Sequence, residues 1–396
     1  MAGKNTQYDF LIKILGHVDP SLKTSVQYTK RQMQKFESDF YKTEAGIWKK
    51  ATGIASAVAK VGAAAGVATG AALKKAYDIG SEFEKHMDEW SATADANNAQ
   101  YEKAREAALL WGRKTTKTAT ESADALKYMA LAGWDVNTSI KALPSVLKLS
   151  EATNLDLART SDLVTDAMSA TGTEAGDLAR FLDVAAKANN RSNQTAEQLL
   201  EGYIKTGAQL HDLHVPIEES ATAFGVLANR GLKAEEAGTA LRNVLRNLTT
   251  GTGEAGKMMD KLGISAFDQQ GNFIGLKKTI ELVNEATRNM SDEERNATLS
   301  ALGGSRYVVA LSDMLHSLNT TLADGRTEWD ALRDDVDNAG GALNKMSKVK
   351  MDNLWGDLKI LESAMQDAGI RAYDGFSNPL RDATQLATKE VYKFSD

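Results

Sequence analysis

The chain has 396 residues, with 47 Lys and Arg against 53 Asp and Glu, 42% apolar and 7% aromatic residues, and only 4 prolines. The absence of cysteine excludes disulfides, thiolate metal sites and cysteine nucleophiles, and a net charge of −6 leaves no basic footprint for nucleic acid over the whole chain. This length allows two or three domains, and sparse Pro with abundant Ala, Lys, Glu and Leu points to helix.

Residues 1–50 form a polar, locally basic segment with 9 Lys or Arg against 5 Asp or Glu. Val26, Met33, Phe36 and Phe40 recur at helical spacing, so part of it is expected to be an amphipathic helix. Met1 to Pro20 has no apolar core followed by small residues. Residues 51–73 change character. They are rich in Ala and Gly, and Lys60 is their only charge. Gly62, Gly66 and Gly70 make two consecutive GxxxG steps, which put three glycines on one helix face that a second helix can approach closely. The length suits a bilayer span, whereas the alanine content and the central Lys60 oppose one. Three readings stay open: a helix or hinge packed on other helices, a membrane span, and a segment hidden in an assembly that later enters a membrane. Residues 74–118 read as one long polar helix. Phe83, Met87, Trp90, Ala94 and Asn97, then Tyr101, Ala104, Ala108 and Trp111, make a narrow stripe that needs a partner.

Over 119–318 the pattern becomes that of a compact domain of short packed helices. Ala123–Ala132 ends at Gly133, and Pro144 suits the first turn of the next helix. Leu163, Val164, Ala167 and Met168 share a face closed by Gly172. Leu178, Phe181, Leu182, Ala185 and Ala186 share another, and Leu199, Leu200, Tyr203 and Ile204 a third. Pro216 opens a helix through Phe224 that Gly231 stops, since glycine enters the left-handed cap without strain. The following helix carries the stripe Leu241, Val244, Leu245 and Leu248, with Gly238 placed for close backbone packing. Ile264–Ile274 reads as a small β-hairpin turning at Gly271. Ser291 and Glu294 form a capping box, and Gly303-Gly304 breaks the helix that follows. Residues 319–396 return to polar helix with a joint at Asn338–Ala342. Leu354, Leu358, Leu361 and Met365 then make a coiled-coil-like seam, interrupted by Asn378-Pro379.

Little here supports chemistry. His211 and His214 are the one close histidine pair and lack a third ligand, so no metal is expected. Gly251, Gly253 and Gly256 lack the lysine and preceding strand of a phosphate loop. No GxSxG is present, and no cofactor or catalytic residue is expected. The carboxylates read as solvated helix faces, and the basic N-terminal segment interleaves too few aromatics for nucleic-acid binding.

The compact region resembles the core of phage tail tape measure proteins of the TP901 type. The matching segments occur in that family's order: Ala125–Gly172, Ala185–Tyr203, Ile217–Leu245, Leu262–Leu276, more weakly Ala301–Leu315, and then Leu354–Asp382. Its specific marks are Ala132-Gly133-Trp134, the AGTALR run from Ala237 to Arg242, which includes Gly238, Thr239 and Leu241, and the Phe267–Phe273 turn. Leu302-Gly303 stands where the family often has Phe-Gly. The resemblance implies a non-enzymatic structural protein of a phage or prophage tail. Such proteins associate in several copies inside the tail tube, meet the tube protein and the assembly chaperones in the host cytoplasm, set tail length and assist genome ejection at the host membrane. A helical chain of this length reaches at most roughly 600 Å, so a long ruler segment is missing and a fragment or a short tail is expected.

The expected fold is therefore all-α: a compact multi-helix core with one small β-hairpin, flanked by rod-like helices. The alternative function is a membrane-active helical channel acting through residues 51–73.

Overall fold

Side-chain caps open seven helices of this chain, and the computed structural model, which describes residues 66–395, places those starts where the capping residues occur. The helices are α1 (Gly66–Ala94), α2 (Asn98–Lys114), α3 (Ala119–Leu131), α4 (Val136–Thr153), α5 (Leu157–Thr171), α6 (Leu178–Arg191), α7 (Ala196–Asp212) and α8 (Ile217–Asn229). They continue as α9 (Ala234–Thr249), α10 (Gly253–Leu262), α11 (Leu276–Thr287), α12 (Asp292–Gly303), α13 (Val308–Asn319), α14 (Glu328–Asp337), α15 (Ala342–Met351) and α16 (Leu354–Ser395). Reciprocal capping boxes start α2 (Asn97, Gln100), α3 (Thr118, Glu121), α7 (Thr195, Gln198) and α12 (Ser291, Glu294).

The all-α expectation holds, and the β-hairpin does not. Ile264–Ile274 contains a single antiparallel bridge, Phe267 to Phe273, and no strand. The reason is length. The Asp268 carboxylate accepts from the Gln270 and Asn272 N–H groups and closes the turn, and α11 begins at Leu276, too soon for a ladder to extend. Gly271 occupies the turn with φ +83°. A second isolated bridge, Thr321 to Thr327, interrupts a stretch whose sequence reads as helix.

Other expectations are corrected. The long helix over 74–118 is two helices, because Asp95 turns left-handed at φ 47° and Asn97, counted in the apolar stripe, instead caps α2. Pro144 lies inside α4 rather than in its first turn, and α16 runs through Pro379 without a break. In both places the missing N–H removes one intrahelical bond. The N-terminal amphipathic segment over 1–50 and residues 51–65, including Gly62, lie outside the described residues. Gly66 and Gly70 fall in the first turns of α1. No helix among the described residues is long and apolar enough to cross a membrane; most of the candidate span over 51–73 lies outside the described residues, and the channel built on it finds no support.

From Lys75 onward the chain is one compact unit. Its apolar core is continuous from Phe83, Met87 and Trp90 through the middle helices to Trp329, Leu343 and Ile370. α7 lies at the centre, between α5 and α9. α8 packs on α9, α13 and α14, and α15 packs on α4 and α6.

Candidate functional site

The best-defined feature is the seam where α7 meets α9, because its glycines leave no room for side chains. A Cβ on Gly238 would stand 2.6 Å from the Gly202 carbonyl oxygen and 2.8 Å from Lys205 Cβ. The Thr206 hydroxyl donates to the Gly238 carbonyl at 2.6 Å. On the other face of α7, a Cβ on Gly207 would meet the Ala170 backbone at 2.5 Å. Tyr203, fully buried, packs between Phe181, tilted at 41°, and Phe224, edge-on at 80°, with ring centroids 5.5 and 5.3 Å away. Its hydroxyl donates to the Ile217 carbonyl at 2.9 Å, and burial pushes the phenol well above its ordinary range.

The turn between α8 and α9 is built as a Schellman cap. The Leu232 N–H donates to the Leu227 carbonyl and the Gly231 N–H to the Ala228 carbonyl, with Gly231 at φ +98°. Leu241 is buried in the seam, Thr239 is half-buried, and Arg242 points outward. Gly231, Gly238 and Leu241 thus sit within one supersecondary unit. Among the described residues the Arg242 side chain forms no hydrogen bond or ion pair.

Several structural side chains escape a reading by periodicity. Arg230 reaches Glu328 at 2.7 Å and Asp313 at 3.6 Å, tying the end of α8 to α13 and α14. Burial raises the Asp313 carboxyl, and Arg230 opposes that shift. Three carboxylates cap distant backbone. Asp183 accepts from the Gly341 and Leu343 N–H groups at the start of α15 at 2.8 and 2.9 Å. Glu219 accepts from the Lys277 N–H at the start of α11 at 2.9 Å. Glu151, buried, accepts from the Thr116 N–H and hydroxyl and from the Ser347 hydroxyl. Their signal in sequence is only a lone acid on an otherwise apolar face, and Glu151, amid Leu147, Leu149 and Ala152, carries it most clearly.

The groups weighed for chemistry do structural work. His211 fills the space over Gly172, and His214 adopts φ 53° in the turn after α7. Gly251 and Gly253 carry positive φ in the link between α9 and α10, and Gly256 closes against the Gly251 backbone. Among the described residues no group of three or more His, Asp or Glu is placed to hold a metal.

The family of phage-related minor tail proteins matches residues 105–304, which run from α2 to the end of α12 and contain the whole α7–α9 seam. The chain is 30% identical over 292 residues to the tape measure protein of Pneumococcus phage Dp-1, covering 74% of this chain and 25% of that protein. It is 24% identical over 396 residues to a probable tape measure protein of Escherichia phage P2, covering 96% of this chain and 48% of that protein. The chain thus spans between a quarter and a half of the length of these relatives. No solved structure matches it. With its helical core matched across half of its length, the chain belongs to the phage-related minor tail protein family.

Proposed function

We propose that this chain is the folded head of a tail tape measure protein. In this reading it acts by mechanical templating: rod-like helices joined to the core set how far the tail tube polymerises, and the protein leaves the tube ahead of the genome. The observation that carries the reading is the family match over residues 105–304, together with relatives named tape measure proteins in two phages. The architecture agrees with it. Buried carboxylates cap helices, the histidines pack or turn, and the seam glycines close backbones together, so each conspicuous residue type has a structural task. The protein is accordingly read as non-enzymatic. It resides in the virion tail and meets other copies of itself, the tube protein and the tail assembly chaperones.

The test is made in the phage that carries the complete protein. Deleting whole heptads from its rod segments, outside residues 75–375, shortens the tails seen by electron microscopy in proportion to the residues removed. Tails of unchanged length, with the shortened protein present in the virion, would overturn the templating role. Inserting heptads lengthens tails by the same rule.

A further inference from the structure

The helix α16 sits on the body in an inverted way. Its first turns expose Leu354, Leu358 and Ile360 at 62, 42 and 40%, while Lys359 and Gln366 line a neighbouring cleft. Trp355, Lys359, Glu362 and Gln366, at i, i+4, i+7 and i+11, roof a polar cleft of about 430 Å³ whose floor includes His86 and Asp124. Further along, the buried Ser363 hydroxyl finds no hydrogen-bond partner, and the Asp367 Oδ1 has only a long ion pair, to Arg113, a poor arrangement for a permanently docked face. What holds the helix lies farther on. Arg105 meets Asp374 at 2.6 Å, Arg113 meets Asp367 at 3.6 Å, and the Tyr373 hydroxyl donates to Glu84 at 2.5 Å, beside the buried Ile370. The element before α16 is fixed by contrast. α15 is held at its N-terminus by Asp183 and along its length by Glu151. Between the two helices lies a two-residue link, Asp352-Asn353, in which Asn353 caps the Gly356 N–H.

We propose that α16 is a releasable strap: it hinges at Asp352-Asn353 beside an immobile α15 and is latched to α2 by ion pairs and to α1 by the Tyr373–Glu84 hydrogen bond, so that rising ionic strength loosens it while the rest of the unit stays folded. The Arg105–Asp374 pair is partly solvated and hence open to screening, whereas the Asp367 carboxylate is buried and only its Arg113 partner is partly exposed. The apolar middle of the body, where α7 lies, is not open to screening.

The chain has no cysteine, which makes a lock simple to introduce. A Cβ at position 369 would lie 3.5 Å from the Ile79 Cβ, within the span of a disulfide. Hydrogen exchange is measured on α16 and α7 in the full chain, in the wild type and in Ile79→Cys/Gly369→Cys, from about 0.05 M to about 1 M salt. In the wild type, exchange in the first half of α16 accelerates on the order of tenfold across that range while α7 is unchanged. The oxidised variant abolishes the acceleration and reduction restores it. Arg105→Asp speeds α16 exchange at low salt, and adding Asp374→Arg reverses the effect, a readout that does not depend on the disulfide forming. Salt-independent exchange in α16, or equal exchange in the oxidised and reduced variant, would overturn the strap.

Discussion

At the scale of single residues, two glycines of the helical hairpin do different work, and substitution separates them. Gly231 needs its backbone conformation, for nothing lies within 4 Å of a built Cβ and its φ is +98°. Gly238 needs space, with the Gly202 carbonyl 2.6 Å from the Cβ it lacks. Gly231→Ala is expected to cost about 1–2 kcal/mol, and Gly231→Asn to recover most of it, because Asn tolerates the left-handed region. Gly238→Ala is expected to cost about 1–3 kcal/mol by overpacking, and Gly238→Asn more. Urea denaturation of the four variants checks the crossed order. Asp135 offers a pH prediction. Its carboxylate caps α4 and is held below the ordinary range, first by the Thr138 hydroxyl, then by the Thr138 N–H. A depressed folded pKa stabilises at pH above the unfolded value, and that contribution disappears as pH falls through the folded value. Asp135→Ala therefore loses about 1 kcal/mol at neutral pH. Asp135→Asn keeps the cap and flattens the acid limb of the stability profile measured by thermal melts.

At the scale of elements, the informative connections are those that one helix makes for another. Asp183 on α6 satisfies two N–H groups at the start of α15, although about 160 residues separate them. Asp183→Ala is expected to raise amide exchange throughout α15 and to lower global stability by about 1–2 kcal/mol. Protection in α5 and α7 falls by no more than that global loss, so the excess exchange is confined to α15, and mass-spectrometric exchange resolves the difference. This tie also shows where sequence reading stops. Local signals place helices well: the Ser291–Glu294 box, Pro216 before α8 and Gly172 after α5 mark ends that the structure places there. The all-α class follows from them. Signals that depend on tertiary partners do not show. Asn97 fits an apolar stripe by spacing, yet it caps. Pro144 reads as a helix start, yet α4 continues around it while packed on α3, α5 and α15. The Phe267–Phe273 turn has the composition of a hairpin, but α11 begins too soon for strands. In the seam, Gly238 was legible from its place before the stripe. Its counterpart Gly202 was not, since nothing in EGY distinguishes a packing glycine from a weak point in a helix.

At the scale of the molecule, the family match and the folding unit have different boundaries. Residues 105–304 carry the match, but the apolar core does not respect those limits. Trp90 and Trp329, both fully buried, lie outside the match on either side, and Phe83, Met87, Leu332, Val336, Leu343 and Ile370 belong to the same cluster. Removing these residues would uncover the α8 face against which α14 packs and the α4 and α6 faces against which α15 packs. It would also leave Asp183 without the N–H groups it caps and Glu151 without the Ser347 hydroxyl. Each large apolar side chain taken from the core removes roughly 1.5–3 kcal/mol of burial, and eight such losses are as large as the whole stability of an ordinary domain, about 5–15 kcal/mol. A fragment limited to residues 105–304 is therefore expected to be helical by circular dichroism, yet to melt without a cooperative transition and to be digested rapidly by protease. A fragment of residues 75–375 is expected to melt in one cooperative step. Calorimetry of the two fragments decides the matter: a sharp endotherm from the shorter one would show that the helices outside the match are appendages, and a sharp endotherm from the longer one alone would show that they complete the fold.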